Sequence, residues 1–265
     1  MLTEFQRELL RLLAANRSPN SVFAGGAVLN REGSRLSRDL DIEQYSVEAT
    51  AASFQADRSV LEAHGYEVEV SGGYPLHRGH IQAVASGGQQ ATRLEWTTDS
   101  AVKFFPAVED EEFGWCLHPL DLATNKILAL AGRREPRDYF DIVQLQRGGI
   151  TIAALAWAAF AKDAGLTPEL ILDEIARNSN YTATELKAIQ TTEPIDPVAL
   201  KRDFLAGIAE ARDLFARLPY EQAGHLYLDH DRRACRPDAK AVETKTLVLH
   251  GATVGGAWPT IPGAS

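Results

Sequence analysis

The chain has little of what marks a secreted, zinc-stapled or membrane protein. Two cysteines, Cys116 and Cys235, occur in 265 residues. They have neither zinc-ligand spacing nor a redox Cys-x-x-Cys, which excludes a disulfide framework and a structural zinc module. No apolar run approaches the roughly 20 residues needed to cross a bilayer. The start, Met1-Leu2-Thr3-Glu4-Phe5-Gln6-Arg7, lacks the basic segment and apolar stretch of a secretory signal. A cytoplasmic location with no membrane contact is therefore expected. An excess of positive charge is missing too: 27 Lys and Arg stand against 36 Asp and Glu, a net charge of −9, the opposite of a generic nucleic-acid binder. Seven histidines are scattered without metal-ligand spacing. His77 and His80, three apart in a strand–turn region, are expected to face opposite sides, and no Ser–His catalytic arrangement is suggested.

What is present is an ordinary globular composition, 45% hydrophobic and 24% charged, long enough for one large domain or two small ones. Thr3 and Gln6 have capping-box spacing before Phe5, Leu9, Leu12 and Leu13, so a first helix is expected. Val22–Ala24 reads as a short buried strand ended by Gly25-Gly26, and Arg38–Glu43 as a second strand. A helix is expected over Val47–His64, stopping at Gly65. Strands follow at Tyr66–Val70, His80–Ala85 and Thr92–Thr97, with turns at Ser71–Pro75 and Ser86-Gly87-Gly88. From about Pro119 the periodicity becomes helical, over 121–133, 136–146, 152–164, 168–178, 184–189 and 197–218. The tail from Gly224 reads as a hairpin or extended arm, anchored by a buried Trp258. The fold class is α+β: an N-terminal mixed sheet with flanking helices, then a helical half.

The densest chemistry lies in Phe23–Ile42. In an extended strand Asp39 and Asp41 point to one face while Leu40 and Ile42 point to the core. Two carboxylates on one face can share hard divalent cations. Gly25-Gly26 before a short helix offers bare backbone N–H groups to a phosphate. Asp is disfavoured within strands, which argues against an ordinary edge strand. A second block contains Lys126, then Arg133 two turns later on nearly the same helical face, then Asp138 and Asp141, adjacent at i, i+3.

These two blocks, in this order, resemble the nucleotidyltransferase superfamily that includes DNA polymerase β, and within it the AbiEii-type toxins of abortive-infection and toxin–antitoxin systems. The similarity covers roughly residues 1–145. It implies a nucleotidyltransferase α/β domain at 1–116, a helical domain completing the active site at 117–223, and a C-terminal extended tail at 224–265. It implies transfer of an NMP from an NTP to a hydroxyl acceptor, with Asp39 and Asp41 holding Mg²⁺, two ions in all. The acceptor implied is the 3′ end of tRNA, and the partner a separately encoded antitoxin. Modification of a small molecule or a protein is the alternative, which the acidic net charge mildly favours, and a non-catalytic nucleotide-binding protein is a third reading.

Other roles stay open at the level of sequence. A third carboxylate is expected on a neighbouring strand, as Glu95 or Asp99. Gly25 and Gly26 would cradle the triphosphate, or simply form a turn. Arg35 and Arg38, with Arg31, would neutralise phosphates or be solvated loop cations. Ser37 would bond a phosphate, orient a carboxylate or cap the turn. Lys126 would reach the triphosphate as a point charge, with Arg133 on the same substrate. Asp138 and Asp141 would orient the lysine, touch the nucleotide, or pair with Arg134 and Arg137. Tyr74, Trp96, Phe104 and Phe105 fit core packing ahead of a base pocket.

Overall fold

Thr3 opens the first helix as its spacing requires: its hydroxyl accepts the Gln6 N–H at 3.2 Å, and its own N–H donates to the Gln6 side chain at 3.0 Å. The computed structural model describes residues 1–71, 77–85 and 88–261, with backbone alone for 77–85, 88 and 89. Residues 72–75 and 86–87 of the two expected turns, Tyr74 among them, and the side chains of His77 and His80 therefore lie outside the described residues. The chain divides into two compact units. One comprises Met1–Ala101 with Pro106–His118, and the other Val102–Phe105 with the chain from Pro119 onward.

The first unit runs α1 (Glu4–Leu13), β1 (Ser21–Ala24), α2 (Gly25–Leu29), β2 (Asp39–Gln44), α3 (Val47–Ala63), β3 (Glu67–Ser71), β4 (His77–Ala85) and β5 (Gly88–Thr98). After β6 (Val102–Lys103), which belongs to the second unit, it resumes with β7 (Val108–Asp110) and β8 (Gly114–Cys116). Among the described residues its sheet has the order β3-β4-β5-β2-β1-β8-β7. The β2–β5 and β1–β8 pairs are parallel and the rest antiparallel. Leu40, Ile42, Leu94 and Trp96 are fully buried, so the alternation expected of β2 holds and its neighbour β5 follows it.

One buried ion pair organises this core. Arg17 donates to both oxygens of Asp57 at 2.5 and 2.6 Å, and the Trp96 indole N–H reaches the same carboxylate at 2.7 Å. Both side chains of the ion pair are wholly buried. Desolvation works against the Arg17 charge and pulls its pKa below the ordinary guanidinium value, although Asp57 opposes that. Removing either partner would strand a buried charge.

The second unit is built on α4 (Pro119–Gly132), α5 (Pro136–Arg147), α6 (Ile152–Ala159), α7 (Pro168–Asn178), α8 (Ala183–Lys187) and α9 (Pro197–Phe215). These are followed by β9 (His225–Leu228), α10 (Ala239–Glu243), β10 (Val248–Gly251) and β11 (Thr253–Val254). Every residue of α6 is buried, as an all-apolar helix at the centre of a bundle must be. The helix expected to reach 164 stops at 159. There the backbone tightens to i−3 bonds (Ala161 N–H to Ala158 O, 3.0 Å) and Lys162 turns back to the Asp121 carboxylate at 2.7 Å.

Asp121 is fully buried and accepts the N–H groups of Phe104 and Phe105 at 2.9 Å each. That cluster fastens Val102–Phe105 to the helices, and β6 pairs with β11. The tail folds into an antiparallel β9–β10 hairpin whose Leu226, Tyr227 and Leu228 are buried. Trp258 corrects its expectation: it is 50% exposed, edge-on to Phe105, with the Arg232 guanidinium over its ring. Phe104, Phe105 and Trp96 are fully buried, which makes them core residues.

Candidate active site

Asp39 and Asp41 lie on β2 and are aligned with Arg93 and Glu95 of the parallel strand β5. Parallel neighbours in register present their side chains on the same face, so all four sit together. Arg93 bridges the carboxylates, donating to Asp39 at 2.8 Å and to Glu95 at 3.0 Å. The register separates the two candidates for the third carboxylate. Glu95 stands abreast of Asp41, whereas Asp99 lies beyond the strand and accepts the Ser100 N–H at 2.7 Å.

The glycines have a steric reason to be glycines. Gly25 takes φ +66°, and a Cβ there would fall 1.8 Å from the Asp41 Oδ2. A Cβ on Gly26 would fall 2.6 Å from an Arg35 nitrogen. The bare backbone of Gly25 thus lets the Asp41 carboxylate lie against the start of α2. Arg35 is 2% exposed, a packed side chain and not the solvated loop cation considered above. Arg38 is exposed and Arg31 pairs with Asp110. Ser37 is buried and its hydroxyl donates to the carbonyl of Asp39 at 3.0 Å. It therefore fixes the main chain entering β2.

In the second unit Lys126 lies between two buried carboxylates, 2.8 Å from Asp138 and 3.4 Å from Asp141. Arg133, just past the end of α4, donates to the other oxygen of Asp138 at 2.8 Å. Burial pushes the Asp138 pKa up, but Lys126 and Arg133 outweigh it and hold the carboxyl below its ordinary range. Of the three roles open to these aspartates, the structure shows them gripping the lysine. Arg134 turns instead to Glu185 at 2.7 Å and Arg137 to Glu135 at 3.2 Å.

Residues 7–213 match the family described as nucleotidyl transferase AbiEii toxin, type IV toxin–antitoxin system. The chain belongs to that family. Membership makes this AbiEii protein a nucleotidyltransferase using an NTP and the toxin partner of an antitoxin. MenT4, a nucleotidyltransferase toxin from Mycobacterium tuberculosis, superposes with a TM-score of 0.51 at 15% identity, over 79% of this chain and 82% of its own. At that identity the likeness shows the fold. JHP933 from Helicobacter pylori is similar with a TM-score of 0.49 at 16% identity, over 82% and 96% of the two chains. No curated protein matches the chain. Among the described residues no helix is long and apolar enough to cross a membrane.

Sequence reasoning passed over Arg93, although its i, i+2 relation to Glu95 puts both on one face of a strand. It passed over Asp121 and Lys162 as well, whose pairing across 41 residues has no local signal.

Proposed function

We propose that the protein transfers an NMP from an NTP to the 3′-terminal hydroxyl of tRNA, with Mg²⁺ held by Asp39, Asp41 and Glu95. The observation that carries this reading is the alignment of Asp41 with Glu95, beside Asp39, on one face of β2 and β5. An all-carboxylate donor set suits a hard cation, and Arg93 already supplies positive charge between Asp39 and Glu95. Among the described residues no three acidic, His or Cys side chains stand close enough to hold a metal. Two of these carboxylates are turned onto Arg93, which would have to yield.

Asp39, Asp41 and Glu95 would hold Mg²⁺, which would supply activation of an acceptor hydroxyl and charge stabilisation on the departing pyrophosphate. The chain's own groups do the rest. Gly25 and Gly26 let the Asp41 carboxylate and the Arg35 guanidinium pack against the start of α2. Ser37 holds the main chain of Asp39 in place. In the second unit Lys126 is oriented by Asp138 and Asp141, with Arg133 on Asp138.

The test combines the protein, Mg²⁺ and each α-labelled NTP with either bacterial RNA or an RNA-free extract, and an Asp39→Ala/Asp41→Ala variant as control. Label should enter tRNA and fall in the variant by on the order of 10³-fold, the scale of losing preorganised charge stabilisation. The melting temperature should change little, since Asp39, though buried, pairs with a half-exposed Arg93 and such a pair contributes little to stability. Label only in the RNA-free arm would transfer the reading to a small-molecule or protein acceptor.

A further inference from the structure

A cleft in the second unit plays no part in the chemistry above. Its volume is about 300 Å³, and it is lined by Tyr139 of α5, Ser179 and Tyr181 after α7, Leu186 of α8, and Lys201 and Arg202 of α9. That size is at the small end of ligand pockets. Two of its polar atoms are unexplained. Ser179 is 8% exposed, and neither its hydroxyl nor the buried Tyr181 hydroxyl has a hydrogen-bond partner. Buried polar groups are rarely left so, because the desolvation cost is not recovered. Both residues line the cleft, so an occupant with hydrogen-bonding groups of its own would satisfy the two hydroxyls.

The walls and mouth narrow its chemistry. Tyr139 and Leu186 are buried apolar surfaces, suited to the body of a flat ring. Tyr181 is already covered at 4.7 Å by the Arg134 guanidinium, itself paired with Glu185, so it contributes its hydroxyl. At the mouth Lys201 and Arg202 are exposed. Arg202 shares Asp203 with Arg147, so that carboxylate is compensated twice over. The two cations lie beside an apolar, hydroxyl-lined hollow, which suits a planar hydrogen-bonding ring carrying an anion.

We propose that this cleft is a nucleotide-binding site, with the base between Tyr139 and the Ser179 and Tyr181 hydroxyls and the phosphate on Lys201 and Arg202. The same chemistry is offered by a free mononucleotide and by one nucleotide of an RNA strand. The site is independent of metal and of the transfer reaction, so it stands or falls separately from the function proposed above.

Titration calorimetry in EDTA tests it, with AMP, CMP, GMP and UMP, a tetraribonucleotide and benzoate as probes. Saturable binding of a mononucleotide or of the tetranucleotide is expected at micromolar to millimolar concentration. Tighter binding of the strand assigns the site to RNA, and tighter binding of a mononucleotide assigns it to a free ligand. Ser179→Ala should weaken binding about fivefold, the scale of one hydrogen bond. The same variant should melt higher without ligand, since an orphan hydroxyl has gone. Lys201→Gln should weaken binding similarly and Lys201→Arg should restore it. Equal affinity in Ser179→Ala and wild type would overturn the proposal. So would benzoate binding where no nucleotide does, or no saturation by any probe.

Discussion

The two clusters of charge are assembled on opposite principles. On β2 and β5 Asp39 and Glu95 share the guanidinium of Arg93, whose side chain is 45% exposed, with Asp41 abreast of Glu95. In the helical unit Lys126 and Arg133 face Asp138 and Asp141, and the lysine and both aspartates are nearly inaccessible. The first set joins two largely buried carboxylates to a half-exposed guanidinium. The second is balanced and, Arg133 apart, dry, so its charges hold one another. A lysine gripped in that way is a fixed point of positive potential, costly to move and costly to remove. The sheet cluster should therefore answer to substitution mainly in activity, and the helical cluster in stability as well.

The largest test is Lys126→Ala. It removes the cation from between the buried Asp138 and Asp141 while Arg133 stays on Asp138, and breaking a buried pair from one side costs about 3–5 kcal/mol. Denaturant unfolding should report the lower part of that range, because Arg133 stays on Asp138. Adding Asp138→Asn and Asp141→Asn to Lys126→Ala should recover much of the stability without recovering nucleotidyl transfer. Recovery of both would mean that Lys126 serves only the fold, and the contrast between the clusters would fail.

A smaller effect is expected of Arg93→Ala. An ion pair this exposed contributes little to stability, so the melting temperature should barely change. What should change is cation binding, because Arg93 sits where Asp39 and Glu95 would meet a metal. Mg²⁺ titration followed by calorimetry should show affinity rising about twofold to fivefold, the scale of a half-exposed ion pair. Weaker Mg²⁺ binding would show instead that Arg93 props the carboxylates into a binding arrangement.

How far these clusters could be read from the sequence follows from the distance over which each is decided. Asp39 and Asp41 were legible because a strand's two-residue period acts locally, and Gly25-Gly26 lay close by. Glu95 against Asp99 was not, because the choice depends on a parallel register between strands about 50 residues apart. The helices from Pro136, Pro168 and Pro197 were legible through Pro at their first position and capping side chains. The grip of Asp138 on Lys126 spans a helix end, a turn and a new helix, so periodicity placed the residues without pairing them. Arg35 looked like loop charge because nothing in its neighbours announces that it packs against a glycine. The Asp121–Lys162 clasp was hidden for the same reason, and with it the transfer of Val102–Phe105 to the helical unit.

The smallest effect separates buried from exposed charge within the helical unit by pH. The folded-state pKa of Asp138 lies below its ordinary 3.8. Its stabilisation is therefore present above that value and is lost as the pH falls through the lowered one. Glu185 is held down to about 2 by the Thr182 N–H first, and then by Arg134. Its contribution should fade between its ordinary 4.5 and about 2, but its side chain is one third exposed, so solvent screens it and Glu185→Gln should leave the acid limb of the melting curve nearly unchanged. In Lys126→Ala burial is left opposed by Arg133 alone, so the Asp138 pKa should rise and the acid limb should flatten. A limb as steep as wild type would mean that Arg133, the more exposed cation, is what holds Asp138 ionised, and that the balance of the helical cluster does not depend on its buried lysine.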